Sequence, residues 1–160
     1  MSEVRSFVVP PSGGRLLRGP VGGPTILKAT VDETAGTLTV LETEVAPLQG
    51  PPLHLHRRED EFWYILAGDF RFRADDRILT APQGSFVFVP RGTRHCFQNV
   101  GSAIGRVLVG FTPGGMERFF EAHAELPPGP VDPEVYRAIA DRSFMVVAGP
   151  PLAEIGRAHV

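Results

Sequence analysis

The sequence predicts an all-β fold, a sandwich or barrel, with a short helical extension near its C-terminal end. Three observations carry this. From Thr25 to Phe111, turn signals recur roughly every eight to twelve residues, with no helical pattern between the strands. The chain of 160 residues holds 18 glycines and 16 prolines, which suits many short elements joined by tight turns. After Thr112-Pro113-Gly114-Gly115 the apolar period changes from that of a strand to that of a helix.

Residues 1–24 read as an N-terminal arm, with Phe7-Val8-Val9 as a short strand before Pro10-Pro11. Residues 25–111 read as the β-barrel. Its first strands are Thr25–Thr30 and the β-branched run Thr37–Val45, separated by a turn over Asp32–Gly36. The loop Ala46–Pro52 leads into the strand holding His54 and His56. Glu61–Leu66 has bulky residues on both faces and is expected to be buried on both sides. Ala67-Gly68-Asp69 turns the chain into Phe70–Arg73, and Asp75-Asp76 turns it again before Arg77–Thr80. Ser85–Val89 is expected as a core strand, followed by Thr93–Val100 and Ile104–Phe111. Phe62, Tyr64, Phe70, Phe72, Phe86, Phe88 and Phe97 are expected mostly in the core.

Residues 112–160 read as a helical extension packing on the barrel within the same domain. Met116–Leu126 is amphipathic, and by helical period Phe119 and Phe120 are not expected to share the core face. Asp132 caps a second helix that has Pro133 at its first position. Phe144–Val147 is a last short strand, and Ala153–Val160 a loose tail.

The net charge of −2 and the lack of a basic stripe argue against a nucleic-acid partner. No apolar run has the length of a membrane span or a signal segment. A single cysteine, Cys96, excludes an intrachain disulfide and suits a reducing compartment, so a cytoplasmic protein is expected.

The chemistry is concentrated in His54-Leu55-His56. On a strand, residues two apart point to the same side, so these imidazoles form a ready chelate for a divalent transition metal. The surrounding stretch reads His54-x-His56-x4-Glu61-x6-Gly68, and a second reads Gly84-x5-Pro90-x-Gly92-x2-His95-x3-Asn99. Glu61 lies in an acidic run with Glu59 and Asp60, and strand alternation counted from His56 does not choose among the three.

Together the two stretches resemble the two signature motifs of the cupin superfamily. The second matches at every fixed position. The first departs at one place: the family form has a glycine five residues before the first histidine, whereas here only Pro51, Pro52 and Leu53 separate Gly50 from His54. The C-terminal part, including Gly149-Pro150-Pro151-Leu152, is similar to that of single-domain cupins of the bacterial quercetin-dioxygenase-like kind. The resemblance implies a double-stranded β-helix, a small jelly-roll barrel, with one metal held by His54, His56, Glu61 and His95. The family spacing selects Glu61 from its acidic run, as ligand and as candidate catalytic base. Homodimers pairing through outer strands are the family expectation.

Three neutral imidazoles and a carboxylate suit Fe, Mn, Ni, Co, Cu or Zn. Four protein ligands on an octahedral ion leave two positions for water, a bidentate substrate or O2. A closed structural zinc site would leave none. The implied activity is a metal-dependent dioxygenase acting on a small aromatic or diketone-type substrate. The alternative is a metal-containing module that binds or senses a small molecule without turnover. Cys96 is expected as a buried inert thiol, and His123 and His159 as surface residues.

Overall fold

The structure, a computed structural model, describes residues 3–152. The expected tail over 153–160, with His159, lies outside the described residues. In chain order the elements are β1 (Arg15–Arg18), β2 (Pro24–Ala29), the one-turn α1 (Val31–Thr34), β3 (Thr39–Val45), β4 (Pro52–His56), β5 (Asp60–Ala67), β6 (Asp69–Ala74), β7 (Arg77–Pro82), β8 (Phe86–Val89), β9 (His95–Asn99), β10 (Gly105–Thr112), α2 (Glu117–Ala124), α3 (Pro133–Arg142) and β11 (Met145–Pro151). Residues 7–9 form no strand: they run into Pro10-Pro11, and no sheet edge pairs with them.

Two antiparallel sheets make the jelly-roll. One has the spatial order β1-β2-β3-β10-β5-β8 and the other β11-β4-β9-β6-β7. Each flank of the chain therefore contributes a strand: β1 extends the first sheet, and β11 pairs with β4 at the edge of the second. The core fills the space between the sheets. Leu41, Trp63, Ile65, Val107 and Phe111 enter it from the first sheet, and Phe70, Phe72, Phe97 and Met145 from the second.

Two expectations about the barrel wall are corrected. β5 alternates instead of being buried on both faces. Glu61, Trp63 and Ile65 point inward, while Tyr64 is 44% exposed and Phe62 lies half-buried over Gly110. β8 is an edge strand whose Val87 and Val89 point inward, leaving Phe86 and Phe88 64% and 54% exposed. Both alternating sets of these strands carry large apolar residues, and among the described residues no third layer covers the outer face.

Helix α2 is anchored to the barrel by Glu117, whose buried carboxylate accepts from the Thr39 hydroxyl and the Val31 backbone N–H. Helix α3 starts as expected: Asp132 Oδ1 accepts from Glu134 N at 2.8 Å and Pro133 takes the first position.

The loop before β4 explains the displaced glycine. Leu48 N donates to Asn99 O, and Asn99 N donates to Gln49 O, so the loop lies directly against the end of β9. A Cβ on Gly50 would overlap the Phe97 carbonyl oxygen, which belongs to backbone and cannot swing aside. Gly50→Ala is therefore expected to lower stability by about 2 kcal/mol or more, as overpacking against fixed backbone does. Equal denaturation midpoints for variant and parent would refute this.

Candidate metal centre

β4 carries His54 and His56 two positions apart, with both side chains turned inward and Leu55 turned out. His95 opens β9 and is the cross-strand partner of His54. Glu61 comes from β5 in the other sheet, beside Val89 and Phe111. Three imidazoles from one sheet thus meet one carboxylate from the other. One ligand-type atom of each lies within 4.8 Å of all the others, and no member is more than 5% exposed. Of the three acidic neighbours, only Glu61 joins the cluster. Asp60 turns outward to bind the Arg91 backbone and guanidinium. Glu59 is buried outside the cluster with its Oε2 unpartnered. Burial, aided by the Glu61 charge and opposed by Arg58 and Arg91, pushes its carboxyl up to about 7.

The imidazoles are oriented from behind. His54 Nδ1 donates to the Pro52 carbonyl at 2.7 Å, and His95 Nδ1 to the Thr93 carbonyl at 2.9 Å. A carbonyl only accepts, so Nδ1 carries the proton in both rings and Nε2 is left for the centre. His95 Nε2 lies 2.9 Å from Glu61 Oε1. His56 Nε2 is equally close to the same oxygen, yet neither ring nitrogen of His56 has a hydrogen-bond partner. An unsatisfied buried imidazole is costly, and a cation between these groups would take up its lone pair. The donor set therefore fits a metal ion: His54, His56, Glu61 and His95 could hold one.

The charges follow from burial and proximity. Burial, with repulsion from His95 and His56, holds His54 well below the ordinary histidine range. Burial works against ionisation of Glu61, but the His56 and His95 contacts win and bring its carboxyl down to about 2. For His95 burial is likewise outweighed, here by the hydrogen bond to Glu61 and the Glu61 charge, and its value is raised. Without a metal, the centre therefore holds a carboxylate clamped by histidine.

Cys96, next to His95, faces away into a small cluster with Leu53 and Leu152. It is fully buried, and burial raises its thiol to about 11, so it stays protonated at neutral pH.

The cluster opens on a cavity whose space for water centres is about 50 Å³. Trp63, Phe97, Phe111, Met116, Phe119 and Phe120 form most of its wall. Phe119, in the core, and Phe120, only partly buried against it, both reach the cavity, in keeping with one core position and one at the barrel mouth. Thr43 and Tyr136 are the other polar residues in the lining, and no lysine or arginine is among them. Met116 and Tyr136, with Pro20 and Val21 from the arm, were not anticipated as lining residues. Nothing in strand or helix periodicity shows which element closes a barrel. His123, expected on the surface, is only 8% exposed and packs beside Phe119 and Tyr136.

The fold and this convergence define a small jelly-roll barrel with a histidine- and carboxylate-lined centre. Residues 41–111 match the family model described as the cupin domain, and the barrel has the cupin fold. Over 95 residues it is 28% identical to the tetracenomycin polyketide synthase protein TcmJ of Streptomyces glaucescens, covering 58% of this chain and 62% of that protein. The chain thus spans about three fifths of that relative's length. A predicted oxalate decarboxylase of Thermotoga maritima superposes with a TM-score of 0.60 at 20% identity, covering 67% of this chain and 99% of the other. An RmlC-like cupin from Shewanella frigidimarina gives 0.58 at 19% identity, covering 72% and 96%. Among the described residues no helix is long and apolar enough to cross a membrane.

Proposed function

We propose that the barrel holds one divalent transition metal on His54, His56, Glu61 and His95 and acts as a dioxygenase on a small aromatic or diketone-type substrate, in the manner of quercetin-dioxygenase-like cupins. The observation that carries this reading is the pairing of a four-donor centre with an apolar cavity lacking any cationic side chain. A dicarboxylate such as oxalate, or a sugar phosphate, would have only the metal itself, and no lysine or arginine of the described lining, to balance its charge. An uncharged ring with adjacent oxygens needs no such side chain and suits the apolar wall.

A metal bound there would supply Lewis acidity and a template for substrate oxygens and O2. The chain's own residues do the rest. The Pro52 and Thr93 carbonyls fix the tautomers of His54 and His95. Trp63, Phe97 and Phe111 pack around the reacting ring and restrict water. Glu61 Oε1 is the proton acceptor for an acidic substrate hydroxyl. Because the same carboxylate would hold the metal, that role requires substrate to displace it from the ion or to use its second oxygen.

The test is O2 consumption by metal-loaded protein over flavonols, catechols and β-diketones. Uptake above the metal-only blank is expected, with loss in Glu61→Gln. No uptake with any metal would favour the second reading, a non-catalytic binding module built on the same centre and cavity.

We infer also that two copies pair through the outer face of the six-stranded sheet. Phe62 stands opposite Phe88 and Tyr64 opposite Phe86, forming one uncharged aromatic strip at the sheet edge. Such a strip can match itself across a two-fold axis, covering β8 in both copies. Sedimentation should give twice the chain mass, and Phe88→Glu should give the single mass. A monomeric parent protein would remove the claim.

A further inference from the structure

A second chamber adjoins the barrel cavity. It lies between the 18–23 loop, Gln49, the C-terminal half of α2 and the 129–131 loop, and its space for water centres is about 530 Å³. That is roughly ten times the space at the metal centre, which has room for only a few waters. Pro20 and Tyr136 line both chambers. The groove is thus the adjacent space on the Pro20 and Tyr136 side of the barrel cavity.

The groove has a different chemistry from the barrel. Among the described residues no carboxylate lines it. Arg18 does, and its contacts to the Ala124 and Leu126 carbonyls use Nη2 alone. Gln49 adds an amide. His123 also lines it, at 8% exposure; its Nδ1 is buried without a hydrogen-bond partner, which leaves Nε2 as the ring nitrogen to meet a ligand. Burial and the Arg18 charge lower His123, so it meets a ligand as a neutral imidazole. Tyr136 is likewise kept protonated by burial. These groups supply donors, one fixed positive charge and no negative charge.

We propose that this groove is an outer subsite of the barrel pocket, taking the carboxylate end of an elongated substrate whose oxygen-bearing ring sits at the metal centre. His123 and Arg18 bind the carboxylate, and Tyr136 stands at the neck between the two chambers. The inference rests on the chelating reading of the metal centre for the ring end only; the tail end rests on the groove.

The test uses metal-loaded full-length protein and isothermal titration calorimetry with two probes, catechol and a catechol bearing a carboxybutyl chain. The chain should tighten binding at least about tenfold, as one charge-assisted hydrogen bond does. His123→Ala should remove that gain. Val131→Trp, which fills the groove from its loop and leaves the helices alone, should remove it too, so the result does not depend on one variant folding. Catechol binding with no gain from the chain overturns the subsite. So does a gain that survives both variants, and so does failure of both probes to bind. Binding of the chain-bearing probe alone, dependent on His123, would sink the chelating reading and uphold the subsite.

Discussion

His95→Ala is expected to cost at least about a hundredfold in affinity for divalent transition metal, because removing a direct ligand exceeds the 10- to 100-fold cost of removing a ligand's outer partner. His95 is chosen because it serves the site in two ways. Its Nε2 approaches Glu61 Oε1 at 2.9 Å, and its Nδ1 ties β9 to the Thr93 carbonyl. The variant leaves Glu61 with His56 as its remaining buried histidine neighbour in the salt-bridge pair. Metal analysis after dialysis reads the effect, with Cys96→Ser as the control, since that side chain faces Leu53 and Leu152 on the other side of the strand. Equal metal content in His95→Ala and parent protein would sink the four-residue centre.

Trp63→Ala is expected to cost about 3–5 kcal/mol, the range for deleting a buried aromatic. Trp63 is 1% exposed and meets Phe72, His95 and Phe97 edge-on, with ring centroids 5.0, 5.5 and 6.3 Å away. It thus joins the two sheets and also buttresses one imidazole of the centre. The melting temperature should fall by roughly 6–20 °C at this chain length. A fall of only a degree or two in thermal unfolding would mean that the core collapses around the gap. Because Trp63 touches His95, weakened metal retention should accompany the loss of stability.

The alternation of β-branched and aromatic residues with regular turns made the β-barrel legible in the sequence, and the spacing of His54, His56, Glu61 and His95 made the cluster legible. Three kinds of information were not. Where both faces of a strand are apolar, as in β5 and β8, alternation defines two sets and does not say which faces the core. That is why Phe86 and Phe88 were placed inside. Helical period separates Phe119, in the core, from the partly buried Phe120, but does not show that Phe120 also lines the cavity. His123 and Tyr136 come from different helices and meet only through packing, which no local pattern encodes. Gly50 lies between these cases. Its displacement from the expected spacing was visible, but the reason, the carbonyl of Phe97 behind it, belongs to a strand far along the chain.

β11 bears on the order in which the protein is made. All four cluster residues have been synthesised once the chain reaches His95. Yet β4, which carries two of them, still has one open edge, because β11 pairs Met145 with His56 and Val147 with His54. A nascent chain halted anywhere before β11 would hold its histidines on an uncovered strand, with its backbone groups available to other chains. The centre is thus encoded early and sealed only once β11 has been made.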